Sequence, residues 1–248
     1  SGASYENARL QLVAGDVNRV REELRPQVFA AKSAMPAPAA DMAREQLFEY
    51  HLYSLNRPTT LQDNQTKQVA LLSASGVPVR KEYRLAGQDW YYRGPQSDLG
   101  RKHKVGVFVE FDNKGGDLGQ PMPKGVVRVY KKDSRGNALF IGEDAIDHTP
   151  KNERVRLKLG EAFDVTADKK QTDFKRREPT NRASYVFESA YEIVLRNAKK
   201  EAATVVVREP VPGDWAMLEE TQRHAKVAAG TAEWRVNLPA EGSTTLRY

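Results

Sequence analysis

Apolar residues in this chain recur at every second position, in short runs punctuated by turn residues, and that period constrains the fold more than any other feature. Val105, Val107, Val109 and Phe111 share one face of an expected strand, and Phe48, Tyr50 and Leu52 share one face of another. Val155, Leu157 and Leu159 repeat the pattern, facing away from Arg154, Arg156 and Lys158. Between the runs stand Ser75-Gly76, Asp112-Asn113-Lys114-Gly115-Gly116 and Ser134-Arg135-Gly136-Asn137, residues that close hairpins because they accept turn conformations at low cost. No window keeps apolar residues at i, i+3, i+4 and i+7 for three turns, and Asp41 to Gln46 offers one helical turn at most. The expectation is an all-β chain of antiparallel β-sandwich domains.

Four segments follow from the pattern. Residues 1–24 hold a leading strand over Glu6 to Ala14, where Ala8, Leu10 and Leu12 alternate with polar neighbours before the Gly15-Asp16 turn signal. Residues 25–45 turn to Ala, Pro and Met; Pro26, Pro36 and Pro38 remove backbone donors, so the segment reads as a linker. Residues 46–180 form an antiparallel β domain. Residues 181–248 form a small immunoglobulin-like sandwich, with strands expected over Tyr185 to Leu195, Thr204 to Val207, Asp214 to Leu218, Trp234 to Leu238 and Ser243 to Tyr248. In the first of these Tyr185, Phe187, Tyr191, Ile193 and Leu195 face one way, and Ser189 marks an expected bulge. The cut between the two domains is expected within Lys175 to Arg182. Ser1-Gly2 reads as a tag scar, and the chain as the C-terminal piece of a longer protein whose N-terminal domain is missing.

Composition enters mainly by exclusion. No stretch approaches the roughly 18–20 uncharged apolar residues of a membrane helix. The net charge of +6 comes from 39 basic and 33 acidic residues interspersed along the whole length. A nucleic-acid binder would concentrate the basic ones on one element, so no nucleic-acid partner is expected. Zero cysteines remove disulfides, thiolate metal sites and cysteine nucleophiles together.

Specific strings carry a resemblance. Ala8-Arg9-Leu10-Gln11-Leu12-Val13-Ala14-Gly15-Asp16-Val17-Asn18 precedes the Ala/Pro segment, and Leu47-Phe48-Glu49-Tyr50-His51-Leu52-Tyr53 is followed by Thr60-Leu61. Met122-Pro123-Lys124-Gly125-Val126-Val127-Arg128-Val129-Tyr130 precedes Ile141-Gly142-Glu143-Asp144, with Leu159-Gly160-Glu161-Ala162-Phe163-Asp164-Val165 beyond. In order and spacing these blocks resemble the bacterial domain of unknown function 4139 family, distantly mucoidy-inhibitor-like, over nearly the whole chain. The resemblance implies a β-rich domain at the C-terminal end of proteins that carry an export signal, hence a periplasmic or exported cell-envelope location. It implies no reaction and no catalytic residues.

Candidate chemistry is sparse. His51, His103, His148 and His224 fall on different strands or loops, with no pair at zinc-site spacing. Glu143, Asp144 and Asp147 beside His148 form the densest group of potential ligands, but without the alternating carboxylates and central glycine of a calcium loop. Asp112, Asn113 and Asp117 among Gly115, Gly116 and Gly119 could form a calcium loop, but such clusters are ordinary turn formers, and the turn reading is favoured here and for the Glu143 group. Ser73-Ala74-Ser75-Gly76 lacks the leading glycine of a nucleophile elbow, and no glycine-rich loop precedes a helix, so no phosphate cradle is expected. The basic runs Arg101 to Lys104 and Lys175 to Arg177 read as solvated strand ends. No catalytic residue, metal site or cofactor is assigned.

The leading candidate surface is Trp90, Tyr91, Tyr92 and Arg93. Three consecutive aromatics on a strand must occupy both faces, so at least one ring lies outside the main face, where packing under a loop or against the second domain is favoured over an exposed patch for a carbohydrate, a peptide or a partner strand. The functional expectation is a non-enzymatic envelope β-sandwich protein that binds a protein or a cell-envelope polymer. Two alternatives stand beside it: a glycan or peptide hydrolase using carboxylates such as Asp144, Asp147 and Asp164, and a structural spacer for the missing N-terminal domain.

Overall fold

A computed structural model of the chain describes residues 3–14, 42–47, 50–65, 67, 69–97, 99–100, 102–177 and 186–248. Fifteen strands and one 3-10 turn account for the regular structure there, with no α-helix among the described residues, so the all-β expectation holds. The chain divides into two compact units, one of residues 1–78 and 111–157, the other of residues 79–110 and 158–248. The expected cut within Lys175 to Arg182 is not where this division falls: the ladder that carries Lys175↔Glu188 and Arg177↔Val186 is continuous as far as it is described.

In the first unit, β1 (Tyr5–Ala8) pairs with β5 (Thr59–Leu61), and β4 (Tyr50–Leu55) lies between β2 (Gln11–Ala14) and β3 (Met42–Leu47). The leading strand is thus two strands in two sheets. Asn7, within β1, takes a left-handed conformation (φ 53°), which an asparagine accepts more readily than most residues, where the register of the β1–β5 pair shifts. Strand β3 corrects the linker reading for residues 42–45: β4 offers a full antiparallel partner from Met42↔Leu55 to Leu47↔Tyr50, and pairing overrides composition. The rest of the proposed linker, and Phe48 of the expected strand face, lie outside the described residues. Ala14, Tyr53, Leu55, Met122, Val155 and Leu157 are buried here, and the Tyr53 hydroxyl donates to the Pro121 carbonyl at 2.6 Å. Strands β8 (Gly125–Lys132) and β9 (Ala138–Ile146) form a separate two-stranded ribbon.

One eight-stranded sheet, in the second unit except for residues 111–112 of β7 and 154–157 of β10, runs in the order β13 (Ala225–Ala228), β14 (Thr231–Leu238), β12 (Ala203–Pro210), β6 (Arg80–Ala86), β7 (His103–Asp112), β10 (Arg154–Arg177), β11 (Val186–Asn197), β15 (Gly242–Arg247). Strand β12 runs parallel to β6, and every other pairing with a described register is antiparallel. The sheet curls until its two halves face each other: Trp234 and Val236 of β14 join Ile193 and Leu195 of β11 and Leu246 of β15 in one core. Burying each of these side chains contributes roughly 1.5–3 kcal/mol.

Two local expectations change in this unit. The irregularity foreseen at Ser189 lies in the partner strand, between Gln171 and Asp173, opposite Tyr191 and Ala190, so Thr172 is the extra residue that bends the pair. Asp214 to Leu218 is an irregular loop, not a strand; Trp215 donates to the Ala229 carbonyl and packs with Met217 against the core. Tyr185 lies outside the described residues.

Candidate functional site

Four inward-facing rows of the second unit run out at the same end of its core. On β10 the row reads Val165, Ala167, Lys169; on β12 it reads Val205, Val207, Glu209; on β11, Leu195, Ile193, Tyr191; and Leu246 of β15 is followed by Tyr248. The period of two that buries the aliphatic residues therefore carries one lysine, one glutamate and two tyrosines inward with them. Strands β10 and β12 are separated by β7 and β6, about 14 Å in a flat sheet. Only the curl of the sheet and two long side chains let the charges meet. Nζ of Lys169 lies 2.8 Å from Oε2 of Glu209, with the side chains 3% and 0% exposed.

The segment Asp89–Arg93 closes that end. It is a 3-10 turn, not the expected strand, so successive side chains are spread around an axis instead of alternating between two faces. Tyr91 is buried and Tyr92 largely so, whereas Trp90 and Arg93 remain exposed. Of the candidate surface, Trp90 and Arg93 are thus left to solvent, while Tyr91 and Tyr92 pack inward. Trp90 stands edge-on to Tyr91, and Arg93 pairs with Asp89 on the same turn. The turn is held by Gln171, whose Nε2 donates to the Gly94 carbonyl (3.2 Å) and to the Tyr191 hydroxyl (3.0 Å), while its Oε1 accepts from Gln96 N–H (2.7 Å). The Tyr191 hydroxyl in turn donates to the Tyr91 carbonyl at 2.7 Å.

Four tyrosine rings wall the ammonium. Lys169 Nζ is 4.4 Å from the ring centre of Tyr91, 4.8 Å from Tyr191, 5.6 Å from Tyr248 and 5.9 Å from Tyr92, a cation–π enclosure. The Tyr92 hydroxyl donates to Glu209 Oε2 (2.9 Å), and with its one hydrogen committed it accepts from Tyr248 at 3.4 Å. Burial pushes the Tyr92 and Tyr248 hydroxyls far above the usual phenol range, and the nearby Glu209 carboxylate adds to the shift. Burial also lowers the Lys169 ammonium below its ordinary value, against the pull of Glu209. The second oxygen of Glu209 has no hydrogen-bond partner, and the Lys169 contact, close in distance, lacks hydrogen-bond angles. At that distance the two charged groups are in contact.

Of the carboxylates weighed for chemistry, three have partners of their own. Glu143 pairs with Arg128 (2.9 Å), Asp147 with Lys124 (3.2 Å), and Asp144 accepts from Ala145 N–H (2.9 Å). These belong to the first unit and Asp164 to the second. No group of three or more His, Asp or Glu residues at metal-binding distance occurs among the described residues. Asn113 is fully buried and works as a clamp: its Nδ2 donates to the Gln120 and Pro150 carbonyls, and its Oδ1 accepts from Gly119 N–H. Asp112 pairs with Arg154, and Asp117 accepts from Ser75 N–H. His148 accepts from Lys124 N–H at Nδ1, while His51 Nδ1 and His103 Nε2 are buried and unpartnered. His224 meets Glu220 at 3.0 Å, but the same carboxylate oxygen also accepts from His224 N–H and from the Trp234 indole, which uses it as a loop anchor.

The β8–β9 ribbon presents the other candidate surface. Val126, Tyr130, Leu139, Phe140 and Ile141 are all exposed, between 39% and 61%. A bulge at Ile141, with Val129↔Gly142 and Tyr130↔Phe140 on either side, puts three successive apolar side chains of β9 into solvent. Tyr130 and Phe140 meet edge-to-face at 5.7 Å. The ribbon's tip carries Lys131, Lys132 and Arg135 around a tight turn in which Asp133 accepts from the Arg135 and Asn137 N–H groups.

No family model matches the sequence, and neither the curated proteins nor the solved structures contain a match. No described helix is long and apolar enough to cross a membrane.

Proposed function

We propose that this chain is a non-enzymatic binding module that captures an extended segment of a partner protein along β9. The observation that carries the reading is the unguarded first half of β9, Ala138 to Gly142, which precedes Glu143 and Asp144 on the same strand. It has no charge and no proline, three of its side chains are exposed apolar groups, and β8 is its only strand partner among the described residues. Edge strands are ordinarily blunted by charge or proline, because free N–H and C=O groups beside apolar side chains recruit another strand. Strand β8 is blunted in that way, by Arg128, Lys131 and Lys132. An added strand would gain backbone hydrogen bonds from β9 and side-chain contacts from Leu139, Phe140 and Ile141. The cationic tip selects a partner with Asp or Glu at the end that lies beside it.

The non-enzymatic part rests on enclosure. The densest cluster of buried polar groups, Lys169, Glu209 and their tyrosines, is sealed from any substrate. The exported, periplasmic setting and the immunoglobulin-like assignment for the C-terminal strands belong to the same proposal and rest on the resemblance to the domain of unknown function 4139 family and on strand spacing.

A displayed library of random nine- to twelve-residue peptides, about the length of one strand, tests it. Enriched sequences should alternate apolar residues and carry Asp or Glu, and Phe140→Ser should weaken their binding at least about tenfold, the loss of one buried aromatic. Equal enrichment on the parent protein and on Phe140→Ser would overturn the proposal, as would self-association through β9 that leaves no peptide site.

A further inference from the structure

We propose that Lys169 and Glu209 condense to an intramolecular isopeptide bond that joins β10 covalently to β12. The two groups are 2.8 Å apart, all but fully buried, and fixed by strands whose inward rows leave them no other direction. A structural ion pair would align its donor with a carboxylate lone pair. Here the nitrogen touches the carboxyl without hydrogen-bond alignment, and the other oxygen has no partner. A group held in this way against its reaction partner has an effective concentration that reaches about 10⁵–10⁸ M in favourable intramolecular reactions.

The atoms balance without any co-reactant. One proton passes from the ammonium to the carboxylate, giving a neutral amine and a neutral acid, the form a dry interior favours. Burial already lowers the Lys169 ammonium, which makes the neutral amine accessible. The amine lone pair attacks Cδ of Glu209, forming the C–N bond as the carbonyl electrons move to oxygen. The Tyr92 hydroxyl, 2.9 Å from Oε2, donates to the developing oxyanion. Nitrogen then gives a proton to the carboxyl hydroxyl, the C–O bond breaks and water leaves. The product is a neutral amide, which removes two buried charges. Gly87 makes room for it: any side chain there would occupy the position of the Glu209 carboxylate.

Intact-mass spectrometry of the purified, denatured protein reads the outcome. The expected result is a mass one water, about 18 Da, below that of the sequence, the signature of amide condensation. Proteolysis should then yield a branched peptide that contains both Lys169 and Glu209. Lys169→Arg and Glu209→Ala should each restore the full sequence mass, and Tyr92→Phe should slow the appearance of the lighter species at least about tenfold, as removal of an oxyanion donor does. A wild-type protein at full sequence mass overturns the proposal, as does a dehydration that peptide mapping places elsewhere. The reading needs no variant to fold, because the wild-type mass alone decides it.

Discussion

A Cβ atom on Gly87 would lie 2.0 Å from Oε2 of Glu209 and 2.4 Å from its Cδ, so the carboxylate occupies the space that a side chain at residue 87 would need. The glycine is there for room. Gly87→Ala should therefore displace Glu209 from Lys169 and destabilise the protein by about 1–3 kcal/mol or more, the range for forced overpacking. Gly94→Ala is the control: its backbone is extended and nothing lies within 4 Å of the added atom, so its effect should stay within about 0.5 kcal/mol. Urea unfolding of the two variants measures the difference.

The enclosed tyrosines make an alkaline prediction. Folding raises the Tyr92 and Tyr248 hydroxyls above the unfolded value near 10, so at high pH the folded state holds protons that the unfolded state has lost. Their contribution is complete below pH of about 10 and is lost as pH climbs above it. Tyr83 runs the other way. Burial opposes the shift, but the hydrogen bond from Lys199 (2.9 Å) and the charge of Lys81 lower its hydroxyl. Tyrosinate absorbance should rise first with Tyr83 while the fold persists, then jump together with loss of structure. A single smooth titration of all tyrosines in a folded protein would contradict the cage.

Within the aromatic triplet, position and not chemistry decides the cost of a change. Trp90→Ser, at a ring 46% exposed, should alter stability by no more than about 0.5 kcal/mol, whereas Tyr91→Ala should remove about 3 kcal/mol or more. Acrylamide quenching that is strong for wild type and much weaker for Trp90→Ser places the indole in solvent.

Asn113 predicts a loss in the other unit. Its side chain serves two carbonyls and one N–H from a fully buried position, so Asn113→Ala should cost about 2–4 kcal/mol by leaving those groups unpaired. Addition of calcium should not restore it, because the loop is closed by its own amide. Thermal unfolding with and without calcium checks both statements.

The period of two was enough to read the strands, and it read them well where one face is buried: Val105, Val155, Leu157, Ile193 and Leu195 all sit in cores. It misread segments whose state is set by a partner or a loop. Met42–Leu47 becomes a strand because β4 lies beside it, and Asp214 to Leu218 fails to become one because Trp215 is claimed by the loop that it anchors. The candidate site was half visible. The rings mark out Trp90 to Arg93, but a 3-10 turn sends Tyr91 and Tyr92 inward where a strand would split the triplet across two faces. Lys169 and Glu209 were missed although their signal was present: each continues an apolar row, Val165-x-Ala167-x-Lys169 and Val205-x-Val207-x-Glu209. A charge in register with a buried row asks for an opposite charge in register with another. Which row supplies it depends on how far the sheet curls, and no local pattern records that.

Amide hydrogen exchange reads the uptake of a partner strand by β9. With a peptide enriched from the displayed library bound, alternate amides between Ala138 and Ile146, those directed away from β8, should become protected, and Phe140→Ser should abolish that protection. Protection that appears instead around Trp90, or none in the ribbon, would contradict the account.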